Sequence, residues 1–203
     1  MNVDTKAVAD LVCRVLSGMT ETAQEKTVPV GVSNRHIHLT REHLDILFGK
    51  GYELTPLKDL SQPGQYACKE LLTIVGPSLR PIENVRVLGP LRKQSQVEIS
   101  RTDSFVLKVK PPVRESGKLD GSAGITIIGP KGVVSLAEGC IIANRHIHMS
   151  VEEGAAFGLK DGDYVTVEAD GERRIRFYDV HIDTDDANAA GIGNGAKVRI
   201  VEA

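Results

Sequence analysis

The pentapeptide Asn-Arg-His-Ile-His at residues 34–38 recurs unchanged at residues 144–148 of a 203-residue chain. A short apolar stretch precedes each copy, VPVGVS before the first and GCIIA before the second. Two positions after each copy stands a hydroxyl residue suited to cap a helix, Thr40 or Ser150, and a Phe-Gly pair then ends that short helix. A repeat of this kind indicates that the chain was built by internal duplication.

The remaining sequence is typical of short β-strands. Segments such as LLTIV, VRVLG and GITIIG alternate or run apolar, and all three end in Gly-Pro, at residues 76–77, 89–90 and 129–130. Proline cannot donate to a strand ladder, so these pairs end strands sharply. Helical segments are few and brief. The sequence therefore predicts a mainly β fold of small β-barrels with short capping helices, not a doubly wound sheet.

Composition excludes several classes of function. The net charge of −2 gives no basic field for nucleic acid, and no apolar run approaches the roughly 20 residues of a membrane span. No signal-peptide core opens the chain. Three isolated cysteines, Cys13, Cys68 and Cys140, give neither a disulfide framework nor a metal knuckle, which favours a reducing cytoplasm. We expect them to be ordinary buried residues, with Cys68 as an acyl-carrying nucleophile as the alternative.

The repeated histidines indicate a metal site. Residues i and i+2 of an extended strand point to the same side, so His36 and His38 form one pair of imidazoles and His146 and His148 another. These four are most of the six histidines in the chain. Imidazole suits zinc, and catalytic zinc keeps an open coordination position, so zinc is the expected ion.

Two imidazoles do not complete a metal shell, and the sequence offers two further ligands. Glu98 shares one strand face with Gln96 and Ser100, although that pattern fits a solvated face equally well. His181 precedes a capped helix start, as the repeated histidines do. His43 lies inside the first short helix and is expected to be structural.

An amphipathic helix is predicted at residues 4–21, followed by the polar stretch TETAQEK. This helix either docks on its own domain or binds a partner.

Five segments together resemble a known family: NRHIHL, QPGQYACKE, GPLRKQSQVEISRTD, NRHIHM and HIDTDDANAAG. They are similar to the phosphate propanoyltransferases of bacterial microcompartments, the phosphotransacylases of propanediol utilisation, from about Val28 to the C-terminus. The resemblance implies two small β-barrels that exchange segments, one formed by residues 28–34 and 144–203 and the other by residues 35–143. It implies conversion of propanoyl-CoA or acetyl-CoA and phosphate to acyl phosphate and coenzyme A, at a dinuclear zinc site between the barrels.

The resemblance also implies roles for individual residues. By position, three side chains would hold one zinc ion, His36, His38 and Glu98, and three would hold the second, His146, His148 and His181. Arg92 would bind phosphate, and phosphate would attack the thioester directly; no residue is assigned to coenzyme A. In this family a longer segment usually separates the strand that corresponds to RIRFYDV from the HIDTD motif. Here Val180 runs directly into His181, so a strand and turn are expected to be absent.

The family context implies a cytoplasmic homo-oligomer inside a microcompartment. Residues 1–24 would then be a targeting helix and linker that bind shell or lumen proteins, with no nucleic-acid or membrane partner. Two alternatives use the same histidines. A dinuclear metallohydrolase such as a thioesterase would activate water and would not need Arg92, whereas a shell-associated metal-binding protein would have no turnover.

Overall fold

The computed structural model describes residues 26–170, 173–178 and 182–202. Within this part of the chain the strands are β1 Thr27–Pro29, β2 Val32–Ser33, β3 His36–His38, β4 Pro56–Asp59, β5 Tyr66–Val75, β6 Pro81–Gly89, β7 Gln96–Glu98, β8 Val113–Arg114, β9 Ala123–Ile128, β10 Val133–Ala143, β11 Thr166–Ala169, β12 Ile175–Tyr178, β13 Ile182–Asp183 and β14 Lys197–Glu202. The helices are α1 Arg41–Phe48, α2 Arg101–Leu107, α3 Val151–Phe157 and α4 Thr184–Ala190. The predicted helix at residues 4–21, Cys13 and His181 lie outside the described residues.

A closed six-stranded barrel occupies the middle of the chain. Its strands follow the order β5, β6, β3, β7, β10 and β9, and β9 pairs with β5 to close the ring. The prediction of a mainly β chain with short helices is confirmed. Strand β3 lies between β6 and β7, so the first histidine pair is part of the barrel wall.

Alternation along the strands fills this barrel. Strand β5 turns Cys68, Glu70, Leu72 and Ile74 inward while their neighbours are more exposed. Full burial of an aliphatic side chain such as Ile74 contributes roughly 1.5–3 kcal/mol. The buried Glu70 carboxylate accepts a hydrogen bond from the backbone N–H of Thr55, which satisfies the one inward charge on this strand.

The second sheet joins the two ends of the described chain. Its order is β1, β14, β11 and β12, and β2 pairs with β13. The segment before the first histidine pair therefore completes a sheet whose other strands follow the second pair. Its separate core includes Val30, Val167, Phe177, Ile182 and Val198. No helix in the described ranges is long and apolar enough to cross a membrane.

The helices that follow the two histidine pairs begin at the predicted caps. The Thr40 side chain accepts a hydrogen bond from the backbone of the third helical residue of α1, and Ser150 does the same for α3. Gly49 and Gly158 end these helices, and Gly158 takes the left-handed conformation with φ of 72°. The first pair forms strand β3, whereas residues 146–148 lie in the connection between β10 and α3.

Candidate metal centre and active site

Strand pairing brings the first three predicted ligands together. Strands β3 and β7 are antiparallel neighbours, and their register places His36 opposite Glu98. The Nε2 atom of His36 lies 3.3 Å from Oε2 of Glu98. One ligand atom from each of His36, His38 and Glu98 lies within 4.8 Å of the other two. This spacing matches a set of donors around one cation.

Each imidazole of the first pair has a ring nitrogen that could bind a cation. His36 Nδ1 lies 2.8 Å from the carbonyl oxygen of Asn34 and donates to it, which leaves the Nε2 lone pair free for a metal. His38 is almost fully buried, and its Nδ1 has no hydrogen-bond partner within the described part of the chain. A buried unsatisfied acceptor is costly, and a bound cation would satisfy it. Two imidazoles and one carboxylate are one of the donor sets that bind catalytic zinc.

The protonation of the cluster suits cation binding. Burial, followed by the charges of His36 and Arg92, lowers the pKa of His38 to about 3, so this imidazole is neutral at physiological pH. Burial alone would raise the pKa of Glu98, but His36 and a hydrogen bond from Ser116 lower it well below the usual range. Burial lowers the pKa of His36, but the charge and hydrogen bond of Glu98, together with the hydrogen bond to Asn34, raise it by more. A cation at this point would replace the proton that His36 and Glu98 otherwise share.

A guanidinium is fixed beside the cluster. The Arg92 backbone N–H donates to the carbonyl of Leu39 at 2.9 Å, next to His38 in the chain. The Arg92 side chain donates to the Ser116 hydroxyl at 3.0 Å, and that hydroxyl donates to Glu98 at 2.9 Å. Arg92 is therefore held near the predicted ligands through one serine. Its charge contributes to the lowered pKa of His38 and partly opposes the rise in the pKa of His36.

The polar face of β7 is buried, so the solvated-face alternative is wrong. Gln96 is 1% exposed and Glu98 is 7% exposed. The Gln96 amide donates to Glu98 and to Ser116, and its carbonyl oxygen accepts the backbone N–H of Gly117 at 2.8 Å. Ser100, at the end of this face, caps helix α2.

The second histidine pair forms a similar but more exposed cluster. The Nε2 atoms of His146 and His148 are 2.9 Å apart, and His146 Nδ1 donates to the Asn144 carbonyl at 2.8 Å, as His36 does to Asn34. Burial, followed by the charge of His146, lowers the pKa of His148. His181 lies outside the described residues, so the two imidazoles are the described part of this predicted ligand set.

Strand β7 lies between β3, which carries the first histidine pair, and β10, which leads into the second. Strand β10 runs parallel to β7, with Ile141 beside Glu98, and leads directly into the second histidine pair. The side-chain nitrogen of Gln62, in the loop before β5, lies 2.9 Å from Nε2 of His148. A cavity of about 20 Å³ is lined by residues from four segments of the chain: Ser33, Asn34, Arg35, Glu98, Ile99, Ser100, Ala143, Ile182 and Asp183.

Comparison with known proteins identifies the family. The sequence model of the phosphate propanoyltransferase family matches residues 29–193. The chain belongs to the phosphate propanoyltransferase family. A relative named phosphate propanoyltransferase from Thermotoga maritima is 56% identical over 192 residues, covering 88% of this chain and 91% of that protein. Relatives with the same name from Lachnoclostridium phytofermentans and Rhodobacter capsulatus are 54% and 51% identical, covering 92% and 85% of this chain and 94% and 86% of their own. The chain is thus an acyltransferase of this family.

These family relatives are longer than this chain within the aligned stretch. The alignment with the Thermotoga protein has 192 positions, yet 88% of 203 residues is about 179, which leaves about a dozen positions without a counterpart here. The alignment with the Lachnoclostridium protein shows the same difference: it has 202 positions, whereas 92% of this chain is about 187 residues.

Neither described cysteine is suited to carry an acyl group in this acyltransferase. Cys68 and Cys140 are both fully buried. Burial raises the pKa of Cys68 to about 11 and that of Cys140 to about 12, so both remain neutral thiols at physiological pH.

Sequence reasoning missed two serines that support the family site. Ser116 binds Arg92 and Glu98 together, although it lies in a polar loop with no motif around it. Ser95 accepts the backbone N–H of Thr40 at 2.9 Å and lies 2.7 Å from Nδ1 of His43. The one sequence signal for Ser95 was its position immediately before Gln96, the first residue of the predicted polar strand face. His43 thus braces the turn after the first histidine pair, as expected of a structural residue.

Proposed function

We propose that this protein transfers an acyl group from acyl-CoA to phosphate at a dinuclear zinc site. The main support for this proposal is the cluster of His36, His38 and Glu98. The buried Nδ1 of His38 has no hydrogen-bond partner among the described residues, and Arg92 is held beside the cluster by Ser116. Imidazole and carboxylate donors fit zinc, and four ligands with one exchangeable position are the usual arrangement in catalysis.

Each residue of the first cluster then has a role. His36, His38 and Glu98 would hold the first ion. When bound, the zinc ions supply Lewis-acid stabilisation for the sulfur of the leaving thiolate and for the carbonyl oxygen. Arg92 presents a planar fork of donors that binds phosphate in two places and orients it. Ser116 keeps Arg92 and Glu98 in one fixed arrangement.

The proposed reaction needs no protein nucleophile. An oxygen of hydrogen phosphate attacks the thioester carbonyl carbon, the new carbon–oxygen bond forms, and the carbon–sulfur bond breaks. The departing sulfur takes the electron pair, and coenzyme A leaves as the thiol with the proton that phosphate carried. Buried Cys68 and Cys140, both protonated, are consistent with direct transfer. Arg92 favours this reaction over thioester hydrolysis, because water needs no bidentate partner.

The second ion is proposed at His146 and His148, with His181 as the third ligand. The argument for His181 comes from its position in the sequence. It stands five residues before Asp186 in α4, as Glu98 stands five before Asp103 in α2. Glu98 in the first half and His181 in the second half therefore occupy equivalent positions in the sequence.

Further features of the proposal rest on the family resemblance. Propanoyl-CoA and acetyl-CoA are the proposed substrates, and one methylene distinguishes them by only about 1–3 kcal/mol. We also propose the division into residues 28–34 with 144–203 and residues 35–143, a homo-oligomer, and a place inside a microcompartment of propanediol degradation. Residues 1–24 are proposed to bind shell or lumen proteins there.

An assay with and without phosphate tests the function. Purified enzyme is mixed with propanoyl-CoA, thiol release is followed, and acyl phosphate is trapped with hydroxylamine. Thiol release that depends on phosphate and matches the hydroxamate formed supports transfer. Equal thiol release without phosphate, with free carboxylate as the product, would assign a thioesterase, and no release at all would leave a non-catalytic metal protein. Metal analysis of the same sample should give about two zinc ions per chain.

A further inference from the structure

Each copy of the repeated pentapeptide contains an arginine that is not a candidate ligand. Arg35 donates from Nε and Nη2 to the two carboxylate oxygens of Asp103, both at 2.8 Å. Arg145 donates from the same two atoms to Asp186, at 2.8 and 2.7 Å. Both are bidentate ion pairs, which fix direction as well as distance. The duplication has thus kept one arginine–carboxylate pair in each half.

The two carboxylates occupy the same place in their helices. Asp103 is the third residue of α2, after the cap Ser100, and Asp186 is the third residue of α4, after the cap Asp183. Asp103 also accepts the backbone N–H of Ser100, so it fixes the first turn of α2. In each half, the arginine therefore connects the histidine motif to the first turn of a later helix, α2 in the first half and α4 in the second.

In the first half, Asp103 lies close in sequence to the proposed third ligand, Glu98. Strand β7 ends at Glu98, and the Ser100 cap follows two residues later. Arg35 precedes His36, so its pair with Asp103 links the start of β3 to helix α2, which begins three residues after Glu98. This link adds to the pairing of β3 with β7, which places His36 opposite Glu98. In the second half His181 has the equivalent sequence position, five residues before Asp186.

We propose that Arg35 and Arg145 are positioning residues: Arg35 holds the first histidine pair in place against helix α2, and Arg145 holds the second pair in place against helix α4. Each arginine therefore controls the affinity of one metal ion. This inference rests on the proposed dinuclear function. Residues that hold metal ligands in place typically change metal affinity 10–100-fold when they are replaced. The Arg35 pair should have the larger effect, because the Asp103 side chain is 5% exposed and that of Asp186 is 17% exposed.

Metal titration of the full-length chain tests this inference. Zinc is removed, and then zinc is added in competition with a chromophoric chelator to give two dissociation constants. The constants are assigned with His38→Ala and His148→Ala proteins, each of which should retain one site. Arg35→Met should weaken the first ion about 10–100-fold and leave the second within a few-fold. Arg145→Met should do the reverse.

Conservative and control variants separate positioning from general stability. Arg35→Lys should restore affinity only in part, since a single ammonium cannot replace the fork. Arg41→Met is the matched control, because Arg41 pairs with Asp45 and Glu53, neither of which is connected to a proposed ligand. It should leave both zinc constants unchanged. If Arg35→Met fails to fold, Asp103→Asn, which keeps the shape of the side chain, replaces it.

The outcomes separate this inference from the function on which it rests. A wild-type protein that binds no zinc tightly would overturn the dinuclear function and the inference together. A wild-type protein with two zinc ions, and variants with unchanged constants, would overturn only the inference. It also fails if each variant weakens both ions equally, or if only the melting temperature of the metal-free protein falls.

Discussion

Removing the Arg92 side chain should impair the use of phosphate specifically. Arg92 is held by its backbone N–H to Leu39 and by its side chain to Ser116, so the fork is fixed before phosphate arrives. A hydrogen bond to a charged group contributes about 1.5–3 kcal/mol, and 1.4 kcal/mol corresponds to a factor of ten. We therefore expect Arg92→Ala to raise KM for phosphate about 10–150-fold and to lower kcat, while KM for acyl-CoA stays within a few-fold.

The loss should not come from the metal site. The charge of Arg92 helps to lower the pKa of His38, but burial is the larger cause and remains in the variant. His38 should stay neutral near pH 7, and Glu98 keeps its hydrogen bonds from Gln96 and Ser116. Zinc content should therefore equal that of the wild type. The assay is hydroxamate formation at varied phosphate concentration, with metal analysis of the same samples.

Two further variants make this prediction specific. Arg92→Lys should recover only part of the phosphate affinity, because an ammonium is a point charge. Lys93→Ala removes the neighbouring, more exposed cation and should leave phosphate kinetics unchanged. Wild-type phosphate kinetics in Arg92→Ala, or the same loss in Lys93→Ala, would refute the assignment of the phosphate fork to Arg92.

Four other predictions follow from the site and the chain ends. Replacing His36 and His38 with alanine should empty one zinc site and abolish turnover; full activity after chelation would contradict this. In metal-free protein the pKa of His38 is lowered to about 3. Between about pH 6.5 and pH 3, His38 is therefore protonated in the unfolded chain but neutral in the folded chain. Stability should fall with acid by up to about 1.4 kcal/mol per pH unit in excess of a His38→Asn variant, measured by urea unfolding; identical slopes would refute the burial argument. The thiols of Cys68 and Cys140, with pKa values raised to about 11 and about 12, should resist alkylation until the chain unfolds, and mass spectrometry should find no acyl adduct. Deleting residues 1–24 should keep kcat/KM within a few-fold and release the enzyme from compartments; an unfolded product would show that this segment belongs to the barrels.

Local sequence signals predicted most of the strands but not how they close. The Gly-Pro pairs at residues 76–77 and 129–130 follow strand ends β5 and β9, as expected, and β6 ends at Gly89. Strand β4 was missed, because PLKD is exposed at all four positions and has no apolar alternation. Closure depends on β9 pairing with both β10 and β5, a long-range choice that no local pattern encodes.

Within the candidate site, sequence signals indicated the candidate ligands but not the residues that support them. The His-x-His spacing pointed to His36 and His38 because strand geometry places alternate residues on one side, and the structure brings Glu98 to them. Ser116 and Ser95 could not be predicted, since each acts across about 20 residues or more through the barrel wall. A single serine in a polar loop forms no recognisable sequence pattern. Its role depends on which strand the loop packs against in the folded protein.

The two copies of one pentapeptide differ because strand partners, not sequence, set burial. His38 lies in β3 between β6 and β7 and is 2% exposed, and α1 behind it buries Leu44 and Leu47. The second copy leaves the barrel at the end of β10, and α3 buries none of its residues. Burial holds one imidazole strictly neutral at the first site, while the second pair keeps more contact with solvent. Duplication therefore preserved the histidine pairs and the arginine ion pairs, while the surrounding strands gave each half a different electrostatic environment.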